Sequence, residues 1–217
     1  MKDKKRFAVV LSGCGVYDGA EIHEATLALY AIMNNGAEYD VFAPDIEHHH
    51  VINHMTGEEM NESRNVLVES ARIARGNIKT LGDYHPGDYD ILLFPGGFGA
   101  AKNLSSFAFK GAELSVDRTV ESVVHRTREA GKPIGALCVA PVILAKLLPG
   151  VKLTIGQDDG ATEAVQKMGA VHESTTHGEV VIDEKLKVAT TPCYMLDANI
   201  LQIAEGADNI VKVLLKM

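Results

Sequence analysis

The sequence predicts an α/β fold with helices on both faces of a mostly parallel sheet. Short buried apolar runs, such as Phe7–Leu11 and Ile134–Leu137, alternate with amphipathic stretches of ten or more residues, such as Val116–Ala130. This alternation is typical of βαβ units, since parallel strands need long crossover connections. No internal repeat, low-complexity segment or linker divides the chain. We therefore expect one domain over residues 1–217.

The first half of the chain contains three predicted strands and two predicted helices. Ile22, Ala25, Leu29 and Ile32 recur at helical spacing, and Gly36 stands where a C-cap belongs. Residues 45–62 are polar and irregular. The predicted strands are Phe7–Leu11, Tyr39–Ala43 and Tyr89–Phe94. The first predicted helix starts at Ala20, and the second covers Ser63–Arg75.

The second half continues the alternation and adds a hairpin. Glu179–Ile182 and Lys187–Thr190 are strand-like runs separated by a short charged turn, which is a hairpin pattern. The other predicted strands are Ile134–Leu137, Leu153–Ile155 and a short one around Val171, and the predicted helices are Val116–Ala130, Val142–Leu148, Ala161–Met168 and about Leu196–Leu215.

The composition excludes several classes of protein and partner. Hydrophobic residues make up 46% of the chain and charged residues 23%, which suits a globular protein with a sizeable core. The net charge of −8 gives an acidic surface that repels phosphate groups. We therefore expect no nucleic-acid or membrane partner. No apolar run approaches the roughly 20 residues of a membrane span.

The cysteines and the first residues bear on the compartment. Three cysteines are an odd number, so we expect free thiols in a reducing compartment, the cytoplasm, rather than a disulfide framework. A basic start followed by Phe7–Leu11 and Cys14 resembles a lipoprotein signal. However, five apolar residues are fewer than the about 7–15 of a secretory segment. We expect this run to be the first strand.

Cys138 is the leading candidate nucleophile. It lies between the strand Ile134–Leu137 and a helix that Pro141 can start. Such a strand–turn–helix elbow presents a side chain at the sheet edge in a strained backbone conformation. A helix N-terminus also lowers the pKa of a thiol, so we expect the pKa of Cys138 to lie below its usual value. The alternative is a buried structural cysteine.

Two further features could assist a cysteine. Pro95–Gly99 is a glycine-rich turn directly after a buried strand, and its N–H groups could bind an oxyanion. Glu21 and Glu24 stand at the start of the first helix, where acidic residues also complement the helix dipole. A carboxyl group near the sulfur could move protons.

The histidines give no metal site in this interpretation. The consecutive side chains of His48–His50 cannot all converge on one ion, and no spacing completes a tetrahedral set. We therefore expect a solvated loop. His54 is a candidate for lining the site of Cys138, as are Glu21, Cys14 and Cys193. His177-Gly-Glu179 spells the His-x-Glu pair of amidotransferases, but it lies beside the predicted hairpin and is interpreted as chance.

These motifs together resemble the PfpI/parkinsonism-protein superfamily, which has the class I glutamine amidotransferase-like fold. The shared pattern is Glu21-x-x-Glu24, then Phe94–Gly97, then Gly135–Pro141. Within the superfamily the chain most resembles the ElbB branch, which is linked by name to isoprenoid (lycopene) biosynthesis. The stretches similar to that branch are Leu11–Gly19, Val51–His54, Asn65–Leu67, Gly97–Leu104 and Thr190–Pro192.

The resemblance implies a flavodoxin-like sandwich and a homodimer. Cys138 matches the elbow nucleophile, Glu24 the glutamate that hydrogen-bonds it, and the N–H groups of Gly97 and Val139 the oxyanion hole. It further implies a glyoxalase-type lyase that converts glyoxal or methylglyoxal to the 2-hydroxy acid without a cofactor. The expected partner is a small carbonyl substrate.

Two departures keep an alternative function open. Many relatives place a histidine directly after the cysteine or about twenty residues later, where this chain has Val139 and Asp158. The alternative is a thiol redox sensor or binding protein in which Cys14 or Cys193 pairs with an oxidised Cys138. In the enzyme, Glu24 beside a thiolate requires a raised carboxyl pKa, with Glu21 or His54 as the next candidate proton carrier.

Overall fold

The computed structural model describes residues 4–217, and a seven-stranded sheet forms the centre of this part of the protein. The strands are β1 Arg6–Val10, β2 Glu38–Ala43, β3 Lys79–Thr80, β4 Ile91–Phe94, β5 Ile134–Leu137, β6 Lys152–Leu153, β7 Val171–His172, β8 Val181–Asp183 and β9 Val188–Thr191. The α-helices are α1 Ile22–Asn34, α2 Val66–Ile73, α3 Phe98–Lys102, α4 Phe107–Lys110, α5 Arg118–Glu129, α6 Pro141–Leu147, α7 Asp159–Lys167 and α8 Ile200–Leu214.

The strand order confirms the predicted α/β fold. The sheet runs β3-β2-β1-β4-β5-β9-β8, and every neighbouring pair is parallel except β8 and β9, which form the predicted hairpin. From β1 the strands β2 and β3 are added on one side, and β4 and the later strands of this sheet are added on the other side. The order of the strands therefore reverses between β1 and β4. In open α/β sheets a ligand crevice forms outside the carboxyl ends of the strands at such a switch point.

The two faces of the sheet are covered by different helices. Along β1 the side chains alternate, with Ala8 and Val10 facing one core and Phe7 and Val9 facing the other. The first core includes apolar residues of α5, α6 and α7, and the second those of α1 and α8. This three-layer arrangement is the flavodoxin-like sandwich that the resemblance implied.

Several element boundaries differ from the predictions for physical reasons. The last helix begins at Ile200 rather than near Leu196, because Asn199 and Gln202 form a capping box at its start. The strand expected at Leu153–Ile155 is β6, which pairs with β7 in a separate two-stranded sheet. The elements β3, α3 and α4 were not predicted, since two to five residues carry no periodic pattern.

The apolar run near the start of the chain lies in β1, as expected, and is buried from Phe7 to Leu11. Residues 1–3, the first part of the basic start, lie outside the described residues. Among the helices between residues 4 and 217, none combines the length and apolar character needed to cross a membrane.

Candidate active site

Cys138 occupies a strained turn between β5 and α6. Its backbone has φ 59°, in the left-handed region that residues other than glycine rarely adopt. The turn is held by a hydrogen bond from the Cys138 N–H to the Thr191 carbonyl at 3.0 Å, and Pro141 is the first residue of α6. The side chain is mostly buried, at 7% exposure. The strained elbow predicted for this cysteine is confirmed.

Glu24 is fully buried in the first turn of α1 and connects three loops. Its Oε2 accepts a hydrogen bond from the Gly96 N–H at 3.0 Å, and its Oε1 accepts one from the Tyr194 N–H at 3.1 Å. A further hydrogen bond joins its carboxyl group to the Cys138 thiol. Glu24 therefore ties the loops after β4 and β9 to the elbow.

The environment of Glu24 favours the protonated carboxyl group. Burial and then the charge of Glu21 raise its pKa to about 8, while the hydrogen bonds from Tyr194, Cys138 and Gly96 act in the opposite direction. Glu21 caps α1, and its Oε2 accepts the Glu24 N–H at 2.7 Å, which keeps the two carboxyl groups close. The predicted rise in the pKa of Glu24 is confirmed.

The prediction of a lowered pKa for Cys138 is wrong. Burial and the charge of Glu24 raise the pKa of this thiol well above its usual value, and the N–H groups of Gly97 and Val139 offset only part of the rise. The helix that follows Cys138 has only seven residues, and its N-terminus does not compensate for the lost hydration. Both members of the Cys138–Glu24 pair are therefore protonated at neutral pH.

Two backbone N–H groups converge on the sulfur. Those of Gly97 and Val139 hydrogen-bond to Cys138. Within the described chain neither N–H donates to a carbonyl or to another side chain. Gly97 has φ 98°, and a Cβ there would lie 2.3 Å from the Glu21 nitrogen, so only glycine fits. The two donors stand where an oxyanion beside the sulfur would form.

A cavity of about 390 Å³ opens above the sulfur at the carboxyl ends of the strands. Its walls are mainly apolar, and the aromatic rings come from the loop after β4, the segment before α5 and the loop after β9. The lining residues are Val16, Gly97, Phe98, Phe107, Ala108, Cys138, Val139, Asp158, Gly160, Ala161, Tyr194 and Met195. A small organic molecule can therefore reach Cys138 and the two N–H donors together.

Residues 14–204 match the family model described as the DJ-1/PfpI family. The chain belongs to the DJ-1/PfpI family. A human relative is named glutamine amidotransferase-like class 1 domain-containing protein 3, mitochondrial. It is 46% identical over 222 residues, which cover 98% of this chain and 83% of the human protein.

Solved structures agree with this family. A protein of Ehrlichia chaffeensis described as an isoprenoid biosynthesis protein with an amidotransferase-like domain has a TM-score of 0.90 at 32% identity, covering 97% of this chain and 99% of that chain. The glyoxalase III of Candida albicans has a TM-score of 0.62 at 15% identity, covering 96% and 97% of the two chains, and shows the shared fold.

In this DJ-1/PfpI chain the three cysteines occupy different surroundings. Cys193 is buried just after β9 with φ 43°, and the nearby charges of Glu24 and Cys138 help to raise its pKa after burial. Cys14 is half-buried, and its pKa is raised by burial and by Glu69. The structure therefore places Cys193 near the Cys138–Glu24 pair, but neither Cys193 nor Cys14 is among the residues that line the cavity.

The other two predicted lining residues lie outside the cavity. The His54 ring packs against Tyr17 with centroids 5.0 Å apart, and its Nε2 accepts the Tyr17 N–H at 3.2 Å. His54 is not among the residues that line the cavity, where it was expected. Glu21 is not among the lining residues, but it supports the site twice: its side chain accepts the Glu24 N–H, and its own N–H donates to the Gly96 carbonyl at 2.9 Å.

No candidate metal ligand set or amidotransferase pair accompanies the cavity. Among residues 4–217 no group of three or more His, Cys, Asp or Glu side chains is arranged to hold a metal ion. The carboxylate of Glu179 accepts hydrogen bonds from the Thr176 N–H and hydroxyl, outside the cavity. The His177-Gly-Glu179 pair therefore belongs to a different part of the surface.

Sequence reasoning missed four contributors to the site. The Gly96 and Tyr194 N–H groups hold Glu24, and Phe107 and Asp158 line the cavity. The position of Gly96 in the glycine-rich turn was a usable signal, because a turn after a buried strand exposes N–H groups. Nothing comparable marks Phe107, which reaches the cavity only through the packing of the short helix α4.

Proposed function

We propose that the protein is a cofactor-independent glyoxalase-type lyase that converts glyoxal or methylglyoxal to the 2-hydroxy acid. The observation that carries this proposal is the buried Cys138–Glu24 pair with two N–H donors at the sulfur and an open cavity beside it. A nucleophile, a proton carrier and an oxyanion site are the three groups that the reaction needs. The fold shared with a glyoxalase III is consistent with it.

The first step joins the sulfur to the aldehyde carbon. The ionised form of Glu24 accepts the thiol proton as the sulfur attacks, so the raised pKa of the thiol is overcome only when substrate is present. The former aldehyde oxygen becomes an alkoxide, which the Gly97 and Val139 N–H groups stabilise. Glu24 returns the proton to this oxygen, which gives the hemithioacetal.

The second step moves hydrogen between the two carbons. Glu24 removes the proton on the sulfur-bearing carbon and the pair of electrons forms an enediol, after which Glu24 delivers the proton to the neighbouring carbon. The hydroxyl proton of the first carbon passes to the second oxygen, leaving a thioester of the 2-hydroxy acid. Water then adds to the thioester carbonyl, and the sulfur leaves with a proton, which restores Cys138.

The test is lactate formation from methylglyoxal by the intact protein and by Cys138→Ser. The variant should lose lactate formation to the background rate, because a serine hydroxyl in this setting has no base strong enough to activate it. Cys14→Ser is the matched control, and it should retain full activity because Cys14 lies outside the cavity. Undiminished activity in Cys138→Ser would rule out the scheme.

A thiol redox sensor is the second candidate function, and the position of Cys193 favours it. Cys193 and Cys138 follow neighbouring strands and both have positive φ. One peroxide molecule would oxidise the two thiols to a disulfide and be reduced to water. Peroxide treatment followed by peptide mass spectrometry separates the candidates. A Cys138–Cys193 disulfide together with background lactate formation favours the sensor.

Glutamine hydrolysis is not favoured, since the His177-Gly-Glu179 pair lies away from Cys138.

We also propose that residues 1–217 form one domain, that the chain belongs to the ElbB branch, and that it forms a homodimer. The name of the Ehrlichia protein, which mentions isoprenoid biosynthesis, supports a role tied to that chemistry. For location we propose a reducing compartment such as the cytoplasm, although the human relative is named as mitochondrial.

A further inference from the structure

We infer that the Cys138 cavity selects uncharged carbonyl compounds with an extended apolar substituent over three-carbon or anionic ones. This inference rests on the proposed function for its reaction, but it concerns which molecules the cavity holds. It follows from three independent features of the cavity: its volume, the apolar side chains of its walls, and the charged and hydrogen-bonded groups that line it.

The cavity is too large for methylglyoxal alone. Its volume of about 390 Å³ corresponds to about 13 water molecules at roughly 30 Å³ each. Methylglyoxal has five non-hydrogen atoms and would leave most of that space as water next to apolar walls. A substituent of several carbons replaces this water and gains about 0.8 kcal/mol per buried methylene, about fourfold in affinity.

The walls opposite Cys138 are apolar and come from different elements. Phe98 begins α3, Phe107 begins α4, and Met195 ends the turn after β9. Phe107 and Met195 also pack on the first core, so these walls are anchored rather than isolated surface side chains. A substituent attached to the carbonyl carbon would lie against all three while the carbonyl oxygen faces Gly97 and Val139.

The charges around the cavity disfavour an anionic substrate. No Lys, Arg or His is among its lining residues in the described chain, and its one lining carboxylate is Asp158. The N-terminus of α7 is not free to bind an anion, because the Asp158 Oδ1 already accepts the Ala161 N–H at 2.7 Å. A carboxylate or phosphate in the cavity would meet the negative charge of Asp158, which costs affinity. The Lys102 Nζ lies 5.4 Å from the Phe98 ring centroid, but Lys102 is not among the lining residues and its ammonium group already donates to the Tyr17 carbonyl at 2.8 Å.

The experiment measures kcat/KM for alkylglyoxals R–CO–CHO in which R grows from methyl to propyl to pentyl. These substrates share one reacting group, so differences report the substituent. We expect kcat/KM to rise by at least tenfold from methyl to pentyl. An alkylglyoxal of the same length that ends in a carboxylate should fall at least tenfold below the pentyl compound. Equal rates across the series would overturn the inference.

A second measurement separates this inference from the proposed function. Iodoacetamide labels Cys138, and peptide mass spectrometry follows its protection by 2-butanone, 2-octanone and octanoate without any turnover. Tenfold stronger protection by 2-octanone than by the other two supports the inference even if no glyoxal is converted. Equal protection by all three overturns it even if methylglyoxal is converted.

A pair of phenylalanine variants locates the effect. Phe98 lines the cavity at 48% exposure, whereas Phe109 is similarly exposed at 46% and stacks on His49 outside it. Phe98→Ala should reduce the protection by 2-octanone several-fold, and Phe109→Ala should leave it unchanged. An equal loss in both variants, or in neither, would contradict the assignment of the substituent to this cavity.

Discussion

At the scale of single residues, burial decides the protonation of the site. Cys138 and Glu24 are both shielded from water, and burial raises the pKa of each. The charge of Glu24 raises the pKa of the thiol further, whereas the hydrogen bond from Cys138 lowers the pKa of Glu24 without offsetting its burial, so the resting pair holds both protons at neutral pH. The base form of Glu24 becomes common only near its pKa of about 8. Activity should therefore depend on Glu24 losing its proton.

The first residue-scale prediction concerns the pH dependence of methylglyoxal conversion. Below the Glu24 pKa the ionised fraction grows about tenfold per pH unit, so kcat/KM should rise about tenfold between pH 6 and 7 and level off above pH 8. Glu21→Gln keeps an oxygen for the Glu24 N–H but removes the charge that raises the Glu24 pKa. Its profile should level off at lower pH. A flat profile between pH 6 and 9 would exclude Glu24 as the base.

The second prediction separates nucleophilicity from proton transfer. Glu24→Gln removes the charge that raises the pKa of Cys138, so iodoacetamide should label Cys138 at pH 8.5 at least as fast as in the unchanged protein. Turnover should fall by at least a hundredfold, because the amide cannot carry a proton. Glu24→Leu also removes this charge, so it should not slow labelling, but it should reduce turnover at least as much because it leaves no group that can carry the proton. Normal turnover in Glu24→Gln would pass the proton-carrier role to Glu21.

At the scale of elements, the turns after β4, β5 and β9 position the chemistry. Gly96 is a point of close approach to the elbow: a Cβ there would lie 2.3 Å from the Cys138 Cβ and 2.6 Å from the Glu24 Oε2. The backbone must come this close for the Gly96 N–H to reach Glu24. A side chain at this position would push the turn after β4 away from the elbow.

The element-scale prediction is that Gly96→Ala separates the turn from the elbow. We expect a loss of about 1–3 kcal/mol in the free energy of unfolding, the usual cost of overpacking a core, and at least a tenfold loss of turnover. Gly87→Ala is the control, because a Cβ there meets nothing within 4 Å and its φ is ordinary. Urea unfolding and lactate assays measure both. Equal stability of the two variants would contradict this account.

How far the sequence predicts the site also differs between elements. The elbow at Cys138 was predictable because a buried strand, a cysteine and a helix-starting proline follow one another directly. The raised pKa of Cys138 was not, because it depends on Glu24 and on burial, which arise from tertiary packing. His54 was misplaced for a similar reason: its contact with Tyr17 joins two irregular loops that carry no periodic pattern.

At the scale of the whole molecule, the main strands and helices of the three layers were predictable from the sequence. The site is formed largely by the short segments that connect them. The continuous burial of β1 and the helical spacing in α1 follow directly from the apolar residues. The cavity walls instead come from α3, α4 and the turn after β9, which are too short to show a pattern. In the proposed mechanism, burial of the Glu24 carboxyl group is the energetic cost of placing a proton carrier inside this core.

That cost should appear in the stability of the entire protein. The Glu24 pKa is about 8 in the folded protein against 4.5 in the unfolded chain, so between these values the folded state binds one more proton. Stability therefore falls as pH rises through this window, by up to about 1.4 kcal/mol per pH unit from this group. Below pH 4.5 both states are protonated, and the penalty is absent.

We predict that Glu24→Gln flattens this dependence. Its amide nitrogen cannot accept the N–H of Gly96 or Tyr194, so the variant should be less stable by about 1–3 kcal/mol at pH 5. Between pH 5.5 and 7.5, however, its free energy of unfolding should fall by about 1 kcal/mol per pH unit less than that of the unchanged protein. Urea unfolding at half-unit steps measures both slopes. Glu129→Gln, at an exposed position, should keep the original slope. Parallel slopes for Glu24→Gln and the unchanged protein would mean that Glu24 is ionised throughout this range, and the proton carrier would have to be sought elsewhere.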